Sequence, residues 1–192
     1  MLEIIKQQAL LDQVPIMKDD ALQAICDSIV DHHALFVLEF GTAVGYSSLT
    51  IAQKCPWIKM DTIEKDEARY KQAIHNKQQL NNTNVSMHCA DAKKWNIPQF
   101  YDVIIIDAAK AQNKFLFERA LPFLKPRGIM FVDNMHFHGF VDEIPMGKRK
   151  RNLRQMVQKI QAFKEYIASL DYLESEMMDV GDGLLKIQRK HV

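Results

Sequence analysis

Glycine, proline and cysteine are all scarce in this chain: seven, six and three among 192 residues. So few glycines and prolines exclude a collagen-like or low-complexity polymer. Cys26, Cys55 and Cys89 contain no CxxC pair, which excludes a disulfide framework or a cysteine-built zinc site and leaves three reduced thiols. An excess of one charge is missing too, with Lys+Arg 25 against Asp+Glu 24 and a net charge of +1. Proteins that coat nucleic acid through bulk charge are strongly basic, so a nucleic-acid partner here has to be held by a local patch. No apolar run approaches the roughly 18 residues of a membrane span. The opening residues carry Glu3 and Lys6 inside their apolar pattern and show no signal-peptide core. These absences predict a cytoplasmic protein with no membrane partner. What is present, 47% hydrophobic and 26% charged residues, is the composition of a globular domain.

Hydrophobic periodicity predicts helices over 2–11 and 19–30, then a change of period. Apolar runs at 35–40, 57–63, 85–89, 101–106 and 129–132 read as buried strands. Helical patterns fall between them at 66–80 and 112–124, and a long amphipathic helix is predicted over 152–170. Segments 172–180 and 183–188 read as a hairpin across Gly181-Asp182-Gly183. Alternating strands and helices imply an α/β fold, a mostly parallel sheet with helices on both faces. The hairpin adds an antiparallel strand at one side. The chain is read as one domain over 1–192, with N-terminal helices in 1–33 and the sheet-bearing core in 34–192. In such open sheets ligands bind beyond the carboxyl ends of the strands, so function is sought there.

The first strand runs into Glu39-Phe40-Gly41-Thr42-Ala43-Val44-Gly45-Tyr46-Ser47. Gly41 and Gly45 permit a tight turn and close approach of a ligand to the backbone, although a GxxxG spacing is also ordinary punctuation. It is not the GxGxxG of dinucleotide folds, which disfavours a nicotinamide enzyme. The second strand ends at Glu64, placed to accept hydrogen bonds from ribose hydroxyls or to stand as a solvated charge. Asp91-Ala92 follows the third strand. Together these three strand ends point to a cofactor containing a nucleoside.

Asp107 closes the fourth strand and Asp133-Asn134 the fifth. Two carboxylates and an amide oxygen at adjacent strand ends form a hard donor set suited to Mg²⁺ or a similar divalent cation, the alternative being turn caps. Lys110, about one turn after Asp107, stands where it can accept a proton or remain a solvated lysine. His136 and His138 read as loop residues before metal ligands. Lys148, Arg149, Lys150 and Arg151, with Arg154 one turn later, are either a solvated loop and helix start or a phosphate-binding edge beside the site.

These motifs resemble those of the metal-dependent class I S-adenosylmethionine O-methyltransferases, the catechol and caffeoyl-CoA type. The resemblance rests on the 39–47 loop, Thr62-Ile63-Glu64, Asp107-Ala108-Ala109-Lys110, and Asp133-Asn134 with Gly139, in that order, and covers nearly the whole chain. Within the family, Val14-Pro15-Ile16-Met17, the 107–112 stretch and Gly181-Asp182-Gly183-Leu184 are most similar to the bacterial tRNA 5-hydroxyuridine methyltransferases. The resemblance implies a Rossmann-like sheet of seven strands, one of them antiparallel, and a homodimer. It implies S-adenosylmethionine as cofactor, held by Met17, Glu39, Gly41, Thr42, Gly45, Tyr46, Ser47, Glu64, Asp91, Ala92 and Asp107. Asp107, Asp133 and Asn134 would hold the metal, with Asp107 and Lys110 catalytic. The implied substrate is 5-hydroxyuridine at the wobble position of a tRNA anticodon stem-loop, contacted through Lys148, Arg149, Lys150, Arg151 and Arg154; a small catechol-like molecule is the alternative. His136 stands where the family usually has an apolar residue, which places a difference on the substrate side.

Overall fold

A computed structural model describes residues 1–136 and 148–190, and for Lys110 and residues 148–153 the backbone alone. Two helices, α1 (Leu2–Leu11) and α2 (Asp19–Asp31), precede β1 (Phe36–Phe40). There follow α3 (Tyr46–Lys54), β2 (Lys59–Glu64), α4 (Glu67–Gln79), β3 (Val85–Cys89) and β4 (Tyr101–Ile106). The remainder is α5 (Asn113–Ala120), β5 (Leu124–Val132), α6 (Lys148–Ala168), β6 (Leu173–Met178) and β7 (Leu184–Arg189). The seven strands form one sheet in the order β3-β2-β1-β4-β5-β7-β6.

The apolar runs become central strands because both of their faces are covered. On β4, Val103 and Ile105 join the core beneath α1, α2 and α3, while Ile104 and Ile106 join the core beneath α5 and α6. On the second face Phe117 of α5 meets Phe163 of α6 edge-on, with ring centroids 5.9 Å apart. Each fully buried side chain of this size contributes about 2 kcal/mol through removal from water, so the strands are fixed from both sides.

Only β7 runs against the other strands, pairing antiparallel with both β5 and β6. The expected antiparallel strand is present, but it lies inside the sheet, and β6 takes the edge. The helix expected over 112–124 ends at Ala120, where Pro122 turns the chain through a short 3₁₀ segment, Leu121–Phe123. Strand β5 starts earlier than expected, at Leu124, and the register with β4 shifts between Tyr101 and Val103. Helix α6 starts at Lys148 rather than Asn152, so the basic run is its first turn and not a loop. Four successive cations carry no apolar period, which is why the helical start is invisible in the pattern.

At the sheet's amino end, Asp102 ties three segments together. Its carboxylate accepts from the amides of Leu35 (3.1 Å) and Phe36 (2.9 Å) and from the Lys125 ammonium at 2.9 Å on each oxygen. Burial alone would raise this carboxyl, but Lys125 and the two amides overcome it and hold the group below its ordinary value of 3.8. A carboxylate depressed on folding contributes stability above its unfolded value, and the contribution disappears as pH falls through the folded one. Asp102→Asn is therefore expected to lose about 2 kcal/mol of unfolding free energy at pH 7. In urea titrations repeated near pH 3 the difference from wild type should shrink.

Candidate active site

The site is assembled where β1 and β4 end side by side. The amide of Asp107 donates to the Phe40 carbonyl at 2.9 Å, and the Gly41 amide donates to Ile63 on the other side at 3.0 Å. Gly41 sits at φ +111°, and a Cβ on it would lie 2.0 Å from the Asp107 carbonyl oxygen. No other residue type fits between the two strand ends. The chain then turns through Ala43, at φ +46°, into Gly45, whose left-handed conformation at φ +85° starts α3.

Beneath this turn lies a buried carboxyl. Glu39 is fully enclosed, and it accepts hydrogen bonds from Ser47 Oγ and Thr62 Oγ1, each at 2.5 Å. Thr62 in turn meets the Thr42 hydroxyl at 2.6 Å. Burial pushes the Glu39 carboxyl up to about 7, the two hydroxyl donors oppose that rise, and the nearby Glu64 charge adds to it.

Glu64 braces the turn from β2. One oxygen accepts from the Ala43 amide at 2.8 Å, and the other accepts from the amides of Lys65 and Asp66, each at 2.8 Å. Asp91, beyond β3, is held by the Lys65 ammonium at 2.9 Å and by the Lys93 amide at 3.0 Å, with Ala92 beside it. Lys65 first and the Lys93 amide second keep the Asp91 carboxyl below its usual value.

Of the residues expected to hold the cofactor, Met17, Gly41, Thr42, Tyr46, Ser47 and Asp107 line one cleft. Pro15, Ile16 and Ala43 complete it. Glu39 and Gly45 lie behind that lining: Glu39 supports the two hydroxyls, and a Cβ on Gly45 would press on Met87, Ala73 and Leu49 at 3.2–3.3 Å. Tyr46 lines the cleft, and its hydroxyl is engaged in donating to Asp19 at 2.8 Å. Asp19 also pairs with Lys6 at 2.5 Å, so α1, α2 and α3 are pinned together at the cleft wall.

The second half of the site joins β4 and β5. Asn134, at φ +65°, directs its amide to Asp107 Oδ1 at 3.3 Å and to Asp133 Oδ2 at 3.0 Å. A non-glycine residue whose backbone is held in the left-handed region at a strand end is the kind of local strain found at functional sites. The three expected metal ligands thus converge, with Asp133 buried. The set is two carboxylates and an amide; among the described residues no group of three His, Cys, Asp or Glu side chains forms. Two carboxylate oxygens and an amide that can turn its carbonyl oxygen toward them fit a hard divalent cation.

His136 follows two residues after Asn134. Its amide donates to the Asp182 carbonyl at 2.7 Å, and a Cβ on Gly183 would lie 2.1 Å from its ring. Lys18 meets Asp182 at 2.8 Å and Asp20 accepts from the Gly181 amide at 2.8 Å, so the start of α2 closes on the β6–β7 turn. The residues around this contact were not expected; their only signal was the pair of glycines at 181 and 183. Lys110 begins a short 3₁₀ turn, Lys110–Gln112, immediately after the site. Its side chain, those of Lys148, Arg149, Lys150 and Arg151, and all of His138 and Gly139 lie outside the described residues. Arg154 is exposed on α6.

A sheet in this order, with a glycine turn, an acid after β2 and an acidic strand end at β4, defines a class I methyltransferase architecture. The O-methyltransferase family matches residues 5–190, and the chain belongs to that family. It is similar to a candidate caffeoyl-CoA O-methyltransferase of Staphylococcus aureus, with 33% identity, a TM-score of 0.89 and coverage of 98% of this chain and 92% of that one. An O-methyltransferase of Bacillus cereus in complex with SAH is 23% identical (TM-score 0.81, 98% and 90% coverage), and TomG of Streptomyces achromogenes in complex with SAM is 20% identical (0.81, 99% and 89%). These last two establish the shared fold. The protein is an S-adenosylmethionine-dependent O-methyltransferase. Among the described residues no helix is long and apolar enough to cross a membrane.

The close contact at Gly41 yields a direct test. Gly41→Ala should separate the ends of β1 and β4, lowering unfolding free energy by about 3 kcal/mol. Calorimetric titration of the folded variant should show cofactor affinity reduced at least tenfold.

Proposed function

We propose that this enzyme transfers a methyl group to the 5-hydroxyl of 5-hydroxyuridine at the wobble position of tRNA, giving 5-methoxyuridine. The observation that carries the reading is the position of the basic run. Helix α6 follows β5 and therefore starts at the end of the sheet where Asp107 and Asp133 lie, and it packs against the Lys110–Gln112 turn. Lys148, Arg149, Lys150 and Arg151 occupy its first turn. Cations at a helix N-terminus oppose the helix dipole unless an anion accompanies them, and an RNA backbone supplies that anion.

In this reading Glu64 receives the ribose hydroxyls of S-adenosylmethionine, Asp91 and Ala92 border its adenine, and Thr42, Ser47 and Met17 enclose its methionine end. The cofactor supplies an electrophilic methyl group on a sulfonium. Asp107, Asp133 and Asn134 hold a divalent cation, Mg²⁺ or a similar ion, whose chemistry is to acidify and orient the substrate hydroxyl. The O4 and O5 oxygens of 5-hydroxyuridine form a vicinal pair like that of a catechol, so one oxygen-rich site suits both. Lys110 accepts the hydroxyl proton. Asp107 belongs to both halves of the site, and the contact of its backbone with Gly41 fixes the distance between them, so alignment is built into the sheet. Ile4 and Leu11, two turns apart on α1 and both exposed, support a homodimer contact.

Purified enzyme incubated with labelled S-adenosylmethionine, Mg²⁺ and tRNA from a strain lacking 5-methoxyuridine should place label in 5-methoxyuridine, read by nucleoside mass spectrometry. Replacing Lys148, Arg149, Lys150 and Arg151 with alanine should lower kcat/KM for tRNA by more than about tenfold at 150 mM salt. Unlabelled tRNA alongside turnover of a simple catechol would reassign the substrate to a small aromatic diol.

Asp133→Ala separates metal binding from cofactor binding. It should abolish methyl transfer while the dissociation constant for S-adenosylmethionine changes less than about threefold. Equal loss of both would give Asp133 a structural role instead.

A further inference from the structure

Glu39 is a charged residue with no access to solvent, set inside the apolar run of β1, and nothing in the transfer step uses it. Its surroundings are specific. Each oxygen receives one hydroxyl, Ser47 Oγ on Oε1 and Thr62 Oγ1 on Oε2, and Thr62 continues to Thr42. Both ends of this network, Ser47 and Thr42, line the cleft.

A hydroxyl has one proton to donate, whereas an ionised carboxylate only accepts. With Glu39 ionised, Ser47 and Thr62 both spend their protons on it, and Thr62 can then only accept from Thr42. Both cleft hydroxyls are left with lone pairs facing outward. Such a lining accepts hydrogen bonds from a cation and offers none to an anion. With Glu39 protonated the direction must reverse on one branch. A proton on Oε1 is donated to Ser47, and one on Oε2 is donated to Thr62, which passes its own to Thr42. In either case one cleft hydroxyl turns a proton outward, toward a ligand ammonium that has only donors.

We infer that Glu39 is a positioning residue whose ionisation sets the hydrogen-bond polarity of Ser47 and Thr42, making the cleft selective for the cationic methionine end of the cofactor and coupling cofactor binding to release of a proton. This rests on the assignment of the cleft as the S-adenosylmethionine site. The carboxyl lies near 7, so both states are populated at neutral pH and the coupling acts where the enzyme works. The groups around Glu39 are few. From β2, Thr62 bonds it and Glu64 acts on it by charge; from α3, Ser47 bonds it; on β4, Ile105 stands opposite in register, with Asp107 beyond the strand end against Gly41. Asp19 of α2 is engaged with Lys6 and Tyr46.

The sign follows from linkage. A cation favours the ionised carboxylate, so binding expels a proton and affinity falls as pH drops through the region near 7, by at most about tenfold per pH unit. The experiment is calorimetric titration of S-adenosylmethionine into wild type and Glu39→Gln between pH 6 and 8, in buffers of different ionisation heat. The cofactor's own amino group titrates in both proteins and cancels in the difference. Wild type should release a fraction of a proton more than Glu39→Gln at pH 7 and weaken several-fold more toward pH 6. Identical proton counts and parallel pH profiles would overturn the proposal. Thr62→Val keeps Glu39 and removes one donor to its ionised form, so the midpoint of the affinity profile should move to higher pH; an unmoved midpoint would also overturn it, and this arm stands if Glu39→Gln does not fold. Failure of the wild-type chain to bind S-adenosylmethionine at any pH would remove the cofactor assignment itself, and the proposal with it.

Discussion

The approach of Gly41 to the Asp107 carbonyl is the constraint on which the site depends. Strand order reverses between β1 and β4: the sheet extends from β1 through β2 and β3 on one side, and from β4 through β5, β7 and β6 on the other. Apart from Met17 and Asp107, the residues expected to hold the cofactor come from the first direction, and the expected ligands of a cation come from the ends of β4 and β5 in the second. The two half-sites share only this seam, where one strand end lies against the next with no room for a methyl group. In the proposed reaction the distance between electrophile and acceptor is set by this backbone packing in the middle of the sheet.

Glu39 shows the opposite trade. A carboxyl with no solvent contact, raised to about 7, costs stability whenever it ionises, and a leucine there would pack better. The surrounding chain is otherwise consistent: β1 is apolar on both faces, and the Ser47 and Thr62 hydroxyls meet the carboxyl. A single local rule is broken, directly beneath the cleft, as happens where stability has yielded to function.

Much of this was legible in the sequence because the strand-closing residues are chemically distinctive. Glu64, Asp107 and Asp133-Asn134 each end an apolar run, and a parallel sheet brings such ends together whatever the details of packing. The glycine turn was legible for the same reason. Less visible were features that depend on which face a side chain takes. Glu39 was grouped with the cofactor loop, but its place behind the lining follows from strand alternation and from Thr62 standing beside it in register. Tyr46 gave no sign that its hydroxyl would turn to Asp19, 27 residues earlier. Nothing beside His88 in the sequence marks a partner, yet it meets Asp61 at 2.8 Å across β2 and β3, with Tyr101 donating to the same carboxylate. The start of α6 was hidden because periodicity reads apolar residues, and its first turn has none. The contact of His136 with Gly183 joins segments distant in sequence, and the glycines at 181 and 183 were its only signal.

The insertion of β7 between β5 and β6 separates the order of synthesis from the order of assembly. Strand β6 is translated first, but its neighbour in the sheet is β7 alone. Until β7 has emerged, β6 has no partner, β5 presents an unpaired edge, and α6 covers a sheet that is one strand short. His136 likewise lacks its contacts, since the β6–β7 turn that holds it does not yet exist. The sheet is thus closed by β7, which follows both of its partners in the chain, and a chain lacking it presents β5 as an unpaired edge.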